Sequence, residues 1–162
     1  MKRIDKVLLD SLTEQAKNAT RFRAHFNLHP ELGDPVQRLC IAMEPETYVR
    51  PHRHADPLTW EVLMILRGSL ALLIFDEQGI VTERTVLDAQ GPVKAVEFQQ
   101  NTWHAPLSLE SGTVVFEVKQ GPYKPISDVN SASWAPAEGS PEAARFLAWY
   151  RTARVGDAVP KL

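Results

Sequence analysis

Four side chains of this sequence carry ligand chemistry in a telling order: His52 and His54 in Pro51-His52-Arg53-His54, Glu61 at the head of an apolar run, and His104 after Trp103. Side chains of an extended segment alternate with a period of two, so the imidazoles of an HxH pair share one face. Three imidazoles and a carboxylate complete a protein ligand set for one divalent transition metal, and Fe, Zn, Ni, Mn and Co all suit it. One or two coordination positions then stay open for water or a substrate. Neutral imidazoles are required, so binding is expected to weaken as the pH falls below about 6.5. The plainer account is a pair of surface histidines beside a turn and a strand-edge glutamate facing water. Glu61 opens Val62-Leu63-Met64-Ile65-Leu66, however, where an unpaired carboxylate is costly and a cation partner is the better account.

Arg50 shares strand parity with His52 and His54, and Arg53 points the other way. A guanidinium beside the imidazoles is placed to hold a carboxylate or phosphate through two parallel hydrogen bonds. Away from the ligand set no Ser-His-Asp arrangement, reactive cysteine or phosphate loop is visible. Glu117, Lys119 and Tyr123 are the off-metal candidates for acid or base work. Glu117 and Lys119 share one face with Thr113 and Val115, and a solvated ion pair accounts for them as well as a pocket role does. For Tyr123 and Trp134 the default is core packing of a C-terminal strap. His25 and His29 lie four apart with no accompanying acid or cysteine, which favours loop hydrogen bonds or a pocket lid over a second metal.

The elements that must position these groups are short strands. Runs of β-type residues occupy Gln37–Glu44, Thr47–His54, Trp60–Arg67, Ser69–Asp76, Ile80–Leu87, Val93–Phe98, Trp103–Leu109 and Thr113–Lys119, with turn residues between them. Short strands with tight connections predict a mainly β jelly roll or small barrel. Ile4, Val7, Leu8 and Leu12 recur at helical spacing and predict a helix over Ile4–Lys17. Ser140-Pro141-Glu142 predicts a second helix start, with Ser140 as N-cap. Arg21 to Asp34 shows no clear period and reads as a loop. The runs after Glu61 and Ser69 are apolar on both faces, so a homodimer is expected to cover them unless the terminal helices do.

Composition narrows the partners. The 162 residues are 44% hydrophobic and 23% charged, with 18 Lys and Arg against 20 Asp and Glu. That describes one globular domain without a basic stripe, so neither nucleic acid nor membrane is an expected partner. The single cysteine, Cys40, sits in an apolar run, which excludes an intrachain disulfide and fits a buried inert thiol in the cytoplasm. No segment approaches the length of a membrane span, and charges interrupt any leader-like run at the N-terminus.

The order HxH, then Glu61, six residues to Gly68 and a lone histidine opening a later strand resembles the motifs of the cupin superfamily. More closely, the chain is similar to the WbuC family of cupin-fold metalloproteins. The resemblance is carried by Arg23-Ala24-His25-Phe26-Asn27-Leu28-His29-Pro30, Asp34 to Arg38, Tyr48 to His54, Thr102-Trp103-His104, Phe116 to Tyr123 and Trp134 to Glu138. It implies a double-stranded β-helix, with His52, His54, Glu61 and His104 as metal ligands. It implies a setting among surface-polysaccharide genes and no defined reaction. Two departures stand out. The loop from His54 to Glu61 is longer than the general cupin motif has, which makes Asp56 a rival carboxylate, and Gln99-Gln100-Asn101 replaces the usual Pro-x-Gly of the second motif.

The expected organisation is a single cupin domain over 1–162, with an N-terminal helix and loop over 1–36, the barrel over 37–119 and a C-terminal strap and helix over 120–162. Its expected work is metal-dependent isomerisation, hydrolysis or oxygenation of a small polar or anionic molecule, such as a sugar or nucleotide-sugar derivative. The competing class is a non-catalytic small-ligand-binding cupin whose metal is structural.

Overall fold

Alternation of inward and outward side chains builds two facing antiparallel sheets, and helices cover both outer surfaces. The computed structural model describes residues 1–55 and 59–161. Its elements are α1 (Lys6–Asn18), β1 (Arg23–Asn27), β2 (Val36–Met43), β3 (Glu61–Arg67), β4 (Ser69–Phe75), β5 (Val81–Asp88), β6 (Ala95–Phe98), β7 (Trp103–Ser108), β8 (Thr113–Gln120), a short 3-10 turn (Asp128–Asn130) and α2 (Ala143–Thr152). One sheet runs β1-β2-β8-β3-β6 and the other β5-β4-β7. This is a cupin jelly roll with flanking helices, as the sequence predicts.

Three apolar clusters hold the layers. Met43, Leu63, Ile65, Leu70, Leu72 and Val115 fill the space between the sheets. Cys40, Ala42 and Val114, on the outer face of the larger sheet, pack on Leu12 and Ala16 of α1. Ala71, Leu73 and Phe75, on the outer face of β4, pack on Phe146 and Tyr150 of α2. Each fully buried leucine contributes roughly 2 kcal/mol. The terminal helices thus cover the apolar faces for which a second subunit is the alternative, although Met64 on β3 stays exposed. Among the described residues no helix is long and apolar enough to cross a membrane.

Three local readings need correction. The stretch 47–54 is extended but forms no strand, because Pro51 has no N–H to donate. Its pairing shrinks to isolated bridges of His52 with His104 and Ser131. The stretch 21–34 contains β1, whose alternation is inverted: Ala24 and Phe26 pack outward beside α1, and Arg23, His25 and Asn27 point toward the interior. The sheet therefore begins well before residue 37. The helix after Ser140 starts at Ala143 with Glu142 in the cap position and no side-chain cap, and the Ser140 hydroxyl is buried without a partner.

Turn chemistry fixes the rest. Gly68 has φ 73°, and a Cβ there would lie 2.9 Å from the Thr113 Cα, so this tight hairpin accepts only glycine without a backbone shift. Asn101 has φ 61° and takes the left-handed position that the motif's glycine would fill. Its amide donates to the His54 carbonyl at 2.9 Å, which ties the turn before β7 to the end of the HxH segment.

Candidate metal centre

His52 and His104 meet because their backbones pair: His52 N donates to His104 O at 3.1 Å, and His104 N returns the bond to His52 O at 3.0 Å. Their rings stand 4.3 Å apart, and the His54 ring lies 5.3 Å from His52 and 5.6 Å from His104. One nitrogen from each of the three rings lies within 4.8 Å of the others, a cluster that can hold a metal ion. Parity works as the sequence predicts. Arg53 and Trp103 turn away from the cluster, with the guanidinium 4.4 Å over the indole, and Glu77 binds both at 2.8 and 3.0 Å.

The backbone fixes which nitrogens are free. Nδ1 of His52 faces the Arg50 carbonyl at 3.0 Å, and Nδ1 of His104 faces the Thr102 carbonyl at 2.9 Å. A carbonyl only accepts, so each Nδ1 carries the proton and each Nε2 presents a lone pair. Burial lowers the His104 pKa to about 4. Burial, with the neighbouring His104 and His54 charges, carries His52 well below its ordinary value. The neutral form therefore persists to lower pH than the unperturbed value of about 6.5 allows.

Glu61 lies beside the three-histidine cluster. Its carboxylate is buried, and Oε2 lies 2.9 Å from His54 Nε2. Both atoms are inaccessible to solvent, yet among the described residues neither has a partner in hydrogen-bonding geometry. Two buried polar atoms held this close, with no well-aligned hydrogen bond among the described residues, leave room for a cation between them if His54 carries its proton on Nδ1. Burial alone would raise the Glu61 pKa, but His54 beside it and the charges of Lys119 and His104 outweigh this and hold it well below the carboxylate range. Asp56, the rival carboxylate, lies outside the described residues.

A cavity of about 360 Å³ opens beside this cluster, lined by His52, His104, Glu61, Arg50 and Glu117 among others. Glu117 is buried in the barrel, and its Oε1 lies 2.5 Å from Lys119 Nζ, so the solvated ion pair is excluded. Burial and the Glu61 charge raise the Glu117 pKa, with Lys119 opposing. For Lys119, burial works against the charge, but Glu117 and Glu61 prevail and raise its pKa. Lys119 and Tyr123 line two other cavities, of about 140 and 370 Å³. Tyr123 is exposed, because it follows Pro122 on the strap surface, and does not pack in the core.

The arginine end of the cavity is less legible in the sequence. Arg21 and Arg23 both grip Glu138, and Arg23 also donates to the Tyr48 carbonyl. Arg50 donates to the Ala132 carbonyl through Nε and Nη2. His25 is a strand residue of the cavity wall and not part of a lid. His29 does serve a loop hydrogen bond, with Nδ1 accepting from the Arg38 amide at 3.0 Å. The available signal was the alternation of Arg23, His25 and Asn27.

Residues 4–87 match the family described as "Domain of unknown function (DUF6016)", a span that includes His52, His54 and Glu61 and ends before His104. No curated protein matches the chain. Among solved structures the chain is similar to TT1209 from Thermus thermophilus, at 17% identity and TM-score 0.51 over 74% of this chain and 97% of that one. It is also similar to KdgF from Halomonas sp., at 16% identity and TM-score 0.49 over 63% of this chain and 82% of the other. A cupin-2 domain protein from Shewanella frigidimarina aligns at 17% identity and TM-score 0.46, over 60% of this chain and 80% of its own.

Proposed function

The chain belongs to the DUF6016 family, and from its site we propose that it is a metal-binding cupin enzyme acting on a small anionic molecule. His52, His54, Glu61 and His104 would hold one divalent transition ion, from the group Fe, Zn, Ni, Mn and Co. The observation that carries this reading is the cluster of His52, His54 and His104, with His54 Nε2 and Glu61 Oε2 buried 2.9 Å apart and without well-aligned hydrogen bonds among the described residues. When bound, the ion supplies Lewis acidity beside the cavity. The chain's own residues do the rest. Arg50, fixed on Ala132, orients an anionic group, and Glu117, held by Lys119, gives or takes a proton at its carboxyl.

Cys40 is buried with its thiol pushed up to about 11, so it is a poor nucleophile, which favours the ion as the reactive centre. Elemental analysis of untagged protein is the direct test, with about one transition metal per chain expected. Glu61→Gln should lower metal affinity at least about tenfold with the fold retained by circular dichroism. Full metal content in that variant would remove Glu61 from the ligand set, and wild-type protein that stays metal-free after reconstitution would remove the proposal.

A further inference from the structure

The walls between the two ends of the cavity beside the histidines are mostly hydrocarbon, with Glu117 and His25 as the polar side chains among them. In the register of the five-stranded sheet, Glu61 pairs with Lys119 in the row nearest the histidines, and Leu63 pairs with Glu117 in the next. Val115 and Ile41 form the third row, and Met43 and Arg23 the fourth. Glu61 and Arg23 thus occupy opposite corners of one sheet face, with Leu63, Val115, Ile41 and Met43 between them beside the polar Glu117 and His25. Val49 and Pro106 close the cavity over those rows. Hydroxyl groups in that middle section would be taken from water and offered only Glu117 and His25 as side-chain partners, fewer than a polyhydroxylated chain needs, which costs affinity.

The arginine end carries excess positive charge. Three guanidiniums, Arg21, Arg23 and Arg50, meet one carboxylate, Glu138. Glu138 shows what this end accepts, since forked guanidiniums grip both its oxygens. Nη1 of Arg21 and Nη1 of Arg50 make no hydrogen bond among the described residues. They are the donors left for a second carboxylate.

We propose that the ligand of this cavity is an amphipathic carboxylate: an acid group on Arg50 and Arg21, an unhydroxylated hydrocarbon body along Ile41, Leu63 and Val115, and an oxygen function at the histidine end. This sets the ligand apart from sugars and nucleotide sugars. The histidine-end contact rests on the metal reading above, and the arginine and hydrocarbon contacts do not.

Calorimetric titration of metal-loaded and metal-free protein with hexanedioate and galactarate tests it. The two diacids share a carbon skeleton and differ in the hydroxyls alone. Hexanedioate should bind at least about tenfold more tightly than galactarate, and Arg50→Gln and Arg21→Gln should each weaken it several-fold to about tenfold, with metal content measured in every sample. Equal or tighter galactarate binding, no hexanedioate binding, or indifference to both arginine changes would overturn the inference. Arginine-dependent hexanedioate binding to a protein that takes up no metal would uphold it and overturn the metal reading alone.

Discussion

The two ends of the main cavity collect polar groups on opposite terms. At the arginine end, Glu138 binds Arg21 and Arg23 together, Arg23 has a further carbonyl partner, and the side chain of Arg23 is 9% exposed. Each guanidinium there has a partner within the chain, with Nη1 of Arg21 and of Arg50 left over among the described residues. At the histidine end, two Nδ1 protons are satisfied by carbonyls, but His54 Nε2 and Glu61 Oε2 are buried and, among the described residues, without well-aligned hydrogen bonds. A buried polar atom left unpaired costs stability, so the contrast locates where the fold needs something from outside. The arginine end draws its partners from the chain, and the histidine end is the one whose cluster can hold a metal ion.

The sharpest way to break that contrast is at the histidines. His52→Ala or His104→Ala should abolish metal stoichiometry in elemental analysis, and both variants retaining a full complement would move the ligands elsewhere.

Acid comes next. His52 and His104 have folded pKa values below the unfolded value of about 6.5, and His104 reaches about 4. Between those values the unfolded chain binds more protons, so stability falls as the pH drops through that window and is fully present above it. For His104 alone the loss amounts to about 3 kcal/mol at the acid limit. Denaturant melts of metal-free protein at pH 7 and pH 4 check it. His104→Asn, if folded, should show a smaller pH difference than wild type, and an equal one would assign the acid sensitivity to other groups.

Glu138→Gln probes the satisfied end. It leaves the largely buried Arg23 without its carboxylate, and since Glu138 is itself 30% exposed, a cost of about 1 to 2 kcal/mol is expected, with metal content unchanged. A loss of metal would show that the two ends are not independent. The smallest effect belongs to Asn101→Gly, which keeps the left-handed turn and the amide bond to His54. Stability should move by less than about 1 kcal/mol, whereas a β-branched residue there should cost more.

Much of the histidine end is legible along the chain, because an HxH pair shares a face wherever the backbone is extended, even outside a ladder. His52 and His54 keep that relation although Pro51 prevents a strand. The arginine end is not legible. Arg23 and Glu138 meet across 115 positions, and β1 hides its period by turning its polar residues inward. Glu117 is the intermediate case: its spacing admits either face equally, and its register opposite Leu63 and Leu39 puts it in the barrel.

By itself the sequence determined what depends on local geometry: the β character, the breaks between strands, the shared face of His52 and His54, and the apolar setting that buries the Cys40 thiol. Only the tertiary structure decided which distant groups share a space. The closure of two sheets set Glu61 against His54, joined Glu138 to Arg21 and Arg23, and lined the interval between mostly with hydrocarbon. The reason is physical. Alternation is written in neighbouring residues, while contact across a barrel depends on register, twist and the packing of layers that no local stretch specifies.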